Sequence, residues 1–280
     1  MKKKQRIFAW LMVFVLLLSG AAVQGTNSKK AVAATTVKCY KFSLAQSTKV
    51  GNYYYRVNDS MALQRSKSKT KNYKTIVSAM SNNGIYLSTG KMIYYATYAY
   101  DKEASTVYSC KMDGTSKKKI LTAKKFLEPS MVCQNKLYFT EGFLGYSTYS
   151  TPLKGKAKLS LEKKKLRLFN EANGQYIIGA MNESDDADYF DVCIYNTKAK
   201  KVISLGAGTA ANMVGKKVYY ASVNKSTERV TIRKCNPDGS KKEVVSVLDS
   251  AVWGISKLTS TYCIGCSRDN GDAREQKFYY

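Results

Sequence analysis

A short phrase of lysine and aromatic residues returns at nearly constant intervals, and this repeat limits the possible folds more than any other feature. Residues 90–95 (GKMIYY) come back as 135–139 (NKLYF) and as 215–220 (GKKVYY). Aromatic or apolar segments of this kind occur six times, about 41 residues apart, at 53–55, 94–95, 138–139, 176–178, 219–220 and 262–264. A period of roughly 20 to 50 residues made of short strands is typical of solenoids and propellers.

Each repeat is predicted to contain four short strands, of which the aromatic segment is the second. In the fifth repeat the third strand covers residues 230–234 and the fourth begins near 243. The turn between them is Asp238-Gly239, and its counterpart in the second repeat is Asp113-Gly114. Glycine tolerates a positive φ, which tight hairpins require. Strand-forming residues separated by regular turn signals indicate an all-β fold.

The two ends of the chain predict a closed ring. The sixth repeat stops with the strand from Gln276 to Tyr280, the third of its unit, and a spare strand from Val37 to Ser43 precedes the first repeat. Pairing these strands would remove exposed sheet edges. We therefore predict a six-bladed β-propeller of four-stranded repeats, the last blade closed by Val37–Ser43. An open stack, or a propeller truncated at its C-terminus, is the alternative.

Residues 1–33 have the pattern of a secretory signal peptide. A basic start (KKKQR) precedes an apolar run over residues 7–18, and small residues follow up to a cleavage site predicted between Ala33 and Ala34. The alternative is an uncleaved membrane anchor, but the apolar run is shorter than the roughly 20 residues that span a bilayer. We expect a secreted or cell-surface protein, with residues 34–280 forming one propeller domain.

The charge balance favours anionic partners. The chain has 46 Lys and Arg against 20 Asp and Glu, and six of the basic residues precede residue 34, which leaves 40 against 20 and a net charge of +20. Outside a cell, such a charge suits an anionic wall polymer, a glycan or a surface protein, and nucleic acid is not an expected partner. The lysines lie mostly at turns, so a merely solvated surface also explains them.

The seven cysteines do not form an evident disulfide framework, because their number is odd. Cys110, Cys193 and Cys235 occupy nearly equivalent positions in different repeats, and equivalent positions in a radial array are too far apart to be bridged. Free cysteine packs as a small apolar residue. We interpret the cysteines as residues of strand interiors.

Two segments resemble the propellers of the low-density-lipoprotein-receptor type. Residues 137–141 (LYFTE) are similar to the Tyr-Trp-Thr-Asp strand of that family, and 232–240 (IRKCNPDGS) to its following strand and turn. Secreted bacterial proteins of largely unassigned function carry divergent versions, which this chain resembles over residues 37–280. The resemblance implies a binding scaffold without catalytic residues. No copy here has the tryptophan, and the acid that braces neighbouring blades is matched only at Glu141.

The chain contains no histidine, which excludes catalytic histidines and histidine metal sites. It contains no phosphate-binding glycine motif either, and we predict no cofactor. The acidic segment 182–188 could hold Ca²⁺ through Asn182, Asp186 and Asp188, although a solvated hairpin tip explains it better. The spacing of Cys263 and Cys266 matches redox motifs, but a strand context makes coincidence the better explanation.

The loop tyrosines Tyr98, Tyr100, Tyr146 and Tyr149 are the predicted ligand contacts, because exposed tyrosine stacks on sugars and peptides. These features favour a secreted, non-catalytic binding module for a cell-surface or extracellular ligand. A glycan-acting enzyme with paired carboxylates in the central channel is a second hypothesis. A structural spacer is the third.

Overall fold

The computed structural model describes residues 36–44, 46–78, 84–142, 147–181, 190–248, 252–269 and 272–280. The chain divides into two units, Met1–Ala34 and Thr35–Tyr280, and only the second contains described residues. The predicted signal peptide and its cleavage site at Ala33 and Ala34 therefore lie outside them. Among the described residues, no helix has the length and apolar character needed to cross a membrane.

The second unit is an all-β protein built from successive antiparallel meanders, which is the β-propeller fold. The first meander consists of β3 (Thr48–Val50), β4 (Tyr53–Val57), β5 (Leu63–Ser66) and β6 (Lys74–Val77). The second consists of β7 (Tyr86–Ser88), β8 (Met92–Ala99), β9 (Ala104–Lys111) and β10 (Lys118–Ala123). The third consists of β11 (Leu127–Cys133), β12 (Lys136–Glu141), β13 (Ser147–Pro152) and β14 (Ser160–Lys164). A single turn of 3₁₀ helix, Tyr100–Lys102, separates β8 from β9.

The fourth and fifth meanders share one long strand. The fourth contains β15 (Leu166–Asn173), β16 (Tyr176–Met181), β17 (Phe190–Asn196) and the first part of β18 (Lys201–Val214). The fifth continues with the second part of β18, then β19 (Lys217–Val223), β20 (Val230–Cys235) and β21 (Glu243–Val247). Gly208 pairs with Phe190 on one side and with Ser222 on the other, so the seven strands of the two meanders form one continuous sheet.

The last meander has three strands, β22 (Val252–Leu258), β23 (Tyr262–Asp269) and β24 (Asp272–Tyr279). The strand order predicted from the repeat is confirmed, since every aromatic segment forms the second strand of its meander. Aromatic side chains of these strands fill the interior, and Tyr55, Tyr95, Tyr138 and Tyr220 are at most 2% exposed. The repeated aromatic segment therefore occupies the same packing position in each meander.

The hairpin turns between third and fourth strands also follow the sequence prediction. Gly114 and Gly239 have φ values of +84° and +79°. A side chain at Gly114 would collide with the carbonyl group of Ile76 in the preceding meander. Glycine is therefore required there both by the turn and by the close approach of two meanders.

The prediction for the N-terminal strand is wrong. Its residues form β1 (Thr36–Lys38), which pairs antiparallel with β15, and β2 (Tyr40–Phe42), which pairs antiparallel with β7. They add to the free edges of the first strands of the fourth and second meanders, and not to β24. These edges offer backbone groups that need partners, and the cores beside them bury Cys39 and Phe42 completely.

The last meander therefore does not receive the strand from Val37 to Ser43. Within the described residues, no strand pairing joins the first meander to the last. A closed ring of six blades stays a prediction.

Candidate functional site

The predicted tyrosines fall into different environments. Tyr98 lies at the end of β8, with its ring 5.0 Å from that of Tyr100 and 5.1 Å from that of Phe126, measured between centroids. Tyr100 is 78% exposed. Tyr149 lies in a strand and not in a loop, is 9% exposed, and donates a hydrogen bond to Glu141 Oε2 at 3.0 Å. Ligand binding by Tyr98 and Tyr100 stays a prediction, and Tyr146 lies outside the described residues.

The candidate metal ligands Asn182, Asp186 and Asp188 also lie outside the described residues. Within them, no group of three or more Asp, Glu, Cys or His side chains is placed to hold a metal ion.

Lysines concentrate at one end of the meanders. In an antiparallel meander, the turns joining the first to the second strand and the third to the fourth lie at the same end. Over the six meanders these turns hold thirteen lysines, all exposed, and two aspartates. We call this end the lysine face, and its lysines are Lys67, Lys69, Lys71, Lys91, Lys117, Lys154, Lys156, Lys158, Lys198, Lys200, Lys216, Lys241 and Lys242.

The opposite end carries far less net charge. Its described turns and links, 58–62, 100–103, 124–126, 165 and 224–229, hold four acids and six bases. Tyr98 and Tyr100 belong to this end, so the structure separates these tyrosines from the lysine face. The surface lysines are thus distributed unevenly, which a merely solvated surface does not require.

The two aspartates of the lysine face serve their own turns. Asp113 Oδ1 accepts hydrogen bonds from the backbone N–H of Thr115 at 2.9 Å and from its hydroxyl at 2.6 Å. Asp238 accepts the same pair of bonds from Ser240, at 3.0 and 2.6 Å. These bonds lower the pKa of both carboxyl groups. The aspartates shape the hairpins and leave the lysine face strongly positive.

A cleft of about 550 Å³ opens at the lysine face of the first meander. Arg65 at the end of β5, Lys67 in the following turn and Lys74 at the start of β6 line it, and no acidic residue does. The rest of the lining consists of Tyr53, Ser66, Ser68, Asn72, Thr75 and Ile76. A concave site lined by one sign of charge concentrates its field and attracts oppositely charged ligands.

The guanidinium of Arg65 is held in a fixed position. It lies over the ring of Tyr53, with 4.4 Å from Cζ to the ring centroid, and Nη1 donates to the carbonyl oxygen of Met112 at 3.4 Å. Tyr55 donates its hydroxyl to the same carbonyl at 3.2 Å. Residues of two meanders thereby orient the arginine, which has five N–H donors in all.

The N-terminal strand brings a second set of polar groups to the first strands of three meanders. Lys38 Nζ lies 2.8 Å from Glu171 Oε1, and the other oxygen of Glu171 accepts the backbone N–H of Met213 at 2.5 Å. Cys39 donates its N–H to the carbonyl of Asn170 at 3.0 Å and accepts the Asn170 side-chain amide at 2.7 Å. The hypothesis of channel carboxylates gains nothing here, because the buried Glu171 is bound by groups of the protein itself.

A buried carboxylate joins the third and fourth meanders. Glu162, with a side chain 1% exposed, accepts hydrogen bonds from Ser150 at 2.6 Å and Tyr195 at 2.8 Å, and Lys136 Nζ lies 3.3 Å away. Burial would raise the pKa of Glu162, but these donors and the lysine charge outweigh it and hold the pKa below its usual value.

The resemblance to receptor-type propellers marked Glu141 as the acid that would brace neighbouring meanders. Glu141 does bind Lys125, at 2.8 Å, in the segment that links the second and third meanders. Glu162 has more partners and is more deeply buried, and no motif in the sequence marked it.

The cysteines are structural, as far as they are described. Cys39, Cys110, Cys133, Cys193, Cys235 and Cys263 are free and buried. Burial raises the pKa of Cys110 and Cys235 to about 11 and that of Cys193 to about 12. These thiols are therefore protonated and poorly reactive near neutral pH. The side chain of Cys266 lies outside the described residues.

No family model matches the chain, and no curated protein sequence is similar to it. Solved structures are similar in fold. A structure of prolyl endopeptidases matches at 12% identity with a TM-score of 0.53, covering 87% of this chain and 40% of that one. An acylaminoacyl peptidase of Pyrococcus horikoshii matches at 11% identity with a TM-score of 0.52, covering 81% and 41%. An oligogalacturonate lyase in complex with manganese matches at 9% identity with a TM-score of 0.51, covering 81% and 73%.

The chain thus spans less than half the length of the two peptidases. At such low identity these matches show the fold alone. Because peptidases and a lyase share it, the fold does not separate catalytic from binding roles.

Proposed function

We propose that this β-propeller is a secreted binding module that uses its lysine face to hold an anionic polymer at the cell surface. The observation that carries the proposal is the segregation of thirteen exposed lysines to one end of the meanders. The pattern of residues 1–33 supports export, and the resemblance of residues 137–141 and 232–240 to receptor-type propellers supports a binding role. Membership of that family is part of the proposal.

Wall polymers and acidic glycans are the polyanions that an exported protein meets. A repeating row of negative charges can contact several turns of the lysine face at once, and multivalency adds affinity to individually weak contacts. Exposed charge pairs are screened by salt, with a Debye length of about 8 Å at physiological ionic strength. Binding through this face is therefore expected to weaken steadily as salt rises.

The catalytic hypothesis gains no support from Glu141, Glu162 and Glu171, each of which binds a lysine of the protein. A general acid or a nucleophile would need a carboxylate open to the substrate, which these three are not.

The test compares two triple variants that remove the same charge from opposite ends. Lys154→Gln, Lys156→Gln and Lys158→Gln neutralise one turn of the lysine face. Lys102→Gln, Lys225→Gln and Arg229→Gln neutralise exposed bases at the other end and serve as the control. Binding to poly(glycerol phosphate), polygalacturonate and heparin is measured at several salt concentrations, with dextran as the neutral polymer.

The lysine-face variant is expected to bind more weakly. The slope of log affinity against log salt should become shallower by about 2, since each charge neutralised on a single-stranded polyanion contributes about 0.7. The control variant should keep most of the slope. Equal losses in both variants would show that net charge acts without a preferred face. Unchanged binding in the lysine-face variant would refute the proposal.

A further inference from the structure

We infer that the cleft of the first meander is a binding site for a tetrahedral oxyanion, a phosphate or a sulfate group carried by the polymer. This inference rests on the proposed function and adds one position of defined stereochemistry to a face that otherwise acts through diffuse charge. The cleft of about 550 Å³ falls within the size range of ligand sites, about 300–1,000 Å³. It is large enough to hold the oxyanion together with part of the unit that bears it.

The lysines of the cleft lack internal partners. Ion pairs elsewhere in the described residues link Lys38, Lys125, Lys136, Lys200 and Lys234 to glutamates. Lys67 and Lys74 have no such partner among the described residues. Arg65 is held by an aromatic ring and a carbonyl group, and the carboxylate of Asp113, which does not line the cleft, interacts with its charge. Three cations are thus gathered in one concavity without a counter-charge in its lining.

One hydroxyl group of the cleft is available as a donor. Ser68 Oγ accepts the N–H of Thr70 at 3.4 Å and keeps its own proton to donate, because a hydroxyl both donates and accepts. Thr75 Oγ1 instead accepts the side-chain amide of Gln64 at 3.4 Å, on the face of the sheet opposite to Arg65 and Lys74. Ser66 has a different role, since it donates to the carbonyl of Lys71 at 2.6 Å and accepts the N–H of Ser68 at 3.0 Å, which fixes the turn.

The number and origin of the donors favour a tetrahedral anion. Arg65 belongs to β5, Lys67 and Ser68 lie in the turn that follows it, and Lys74 belongs to β6. A guanidinium fork, two ammonium groups and a hydroxyl exceed what the two oxygens of a carboxylate accommodate in one plane. Phosphate and sulfate present three or four oxygens in different directions, and arginine binds them with two parallel hydrogen bonds.

The experiment measures binding of inorganic phosphate, sulfate and acetate by calorimetry at constant ionic strength. The cleft variant carries Lys67→Gln and Lys74→Gln, and the matched control carries Lys154→Gln and Lys156→Gln. Arg65→Lys keeps the charge and removes the planar fork. Thermal unfolding of each variant confirms that the fold is retained.

We expect saturable binding of phosphate and sulfate at one site, and weaker binding of acetate. The cleft variant should lose about tenfold or more in affinity, since each charge-assisted hydrogen bond is worth on the order of a tenfold change. Arg65→Lys should weaken the binding of phosphate, because an ammonium group cannot form the two parallel hydrogen bonds of the fork, and the control should match the wild type. Competition by poly(glycerol phosphate) and by heparin then shows whether phosphate or sulfate is the physiological group.

Three results would overturn the inference: no saturable binding of either anion, equal losses in cleft and control variants, or acetate bound as tightly as phosphate. Failure of the inference is distinguishable from failure of the proposed function. If the polymer binds through the lysine face but inorganic phosphate does not bind in the cleft, only the inference is wrong. If the lysine-face triple variant binds every polymer normally, the function itself is wrong.

Discussion

The N-terminal strand and the cleft of the first meander both gather polar groups, but only the strand finds partners for them inside the protein. Lys38 faces Glu171 at 2.8 Å, and the backbone of Cys39 is bound on both sides by Asn170. In the cleft, Lys67 and Lys74 face no carboxylate of the described residues. Buried polar groups with partners stabilise a single arrangement, whereas like charges left together reduce stability and suit a binding site.

Among the variants that test this comparison, Phe42→Ala in the N-terminal strand is expected to lower the free energy of unfolding most. Phe42 is fully buried and stacks on Tyr55 with ring centroids 4.8 Å apart. Truncating a buried phenylalanine removes its transfer free energy and leaves a cavity, which costs about 3–5 kcal/mol. Urea unfolding measures the loss, and Leu44→Ala, at a side chain 36% exposed, is the milder control. Equal small losses would mean that β2 contributes little to the fold.

A smaller and pH-dependent effect is expected for Glu162→Gln. The variant keeps the shape but leaves donors around residue 162 without a full complement of acceptors, which costs about 1–3 kcal/mol near neutral pH. The pKa of Glu162 is lower in the folded protein than its usual value. Its ionised form therefore stabilises the fold above the unfolded pKa of about 4.3, and this contribution is lost as the pH falls through the folded pKa.

Unfolding free energies measured from neutral to acidic pH test this prediction. The gap between wild type and Glu162→Gln should narrow as the pH falls below about 4. Glu243→Gln, which alters an exposed pair with Lys234 at 3.0 Å, should leave the stability nearly unchanged. A gap that stays constant with pH would show that the carboxylate of Glu162 is not the group that titrates.

The smallest effect on stability is expected in the cleft itself. Replacing Lys67 and Lys74 together by alanine should change the unfolding free energy by no more than about 0.5 kcal/mol, because both side chains are exposed and make no internal ion pair. The sign should be stabilising at low salt, where repulsion among the cleft cations is least screened. Thermal unfolding at two salt concentrations measures it. A large loss would mean that these lysines hold the fold and are not reserved for a ligand.

The repeat alone predicts much of the fold. An aromatic strand must pack once in each meander, so its period reports the meander length, and the Asp-Gly pairs mark hairpins through a local conformational need. The position of the N-terminal strand was not predictable in this way. Several first-strand edges offer it similar backbone groups, and the choice of β7 and β15 depends on three-dimensional fits such as the burial of Cys39 and Phe42.

The candidate site was less visible in the sequence. Lys67 and Lys74 read as ordinary turn lysines, since nothing local shows that the turn and β6 enclose a cleft. Arg65 is oriented by the carbonyl of Met112, 47 residues away. Tyr149 was misjudged for the converse reason, because the acid that receives its hydroxyl is brought close only by the pairing of β12 with β13.

The shared strand β18 has a mechanical consequence. Elsewhere a short linker separates one sheet from the next; residues 124–126, for example, belong to no strand and are held by single backbone hydrogen bonds from Ser105 and Gly142. At Gly208 the same backbone is hydrogen-bonded into two meanders at once, so the fourth and fifth meanders cannot rotate against each other without breaking strand pairing. The two meanders therefore move as one rigid unit, and relative motion of meanders is expected at the other junctions between sheets.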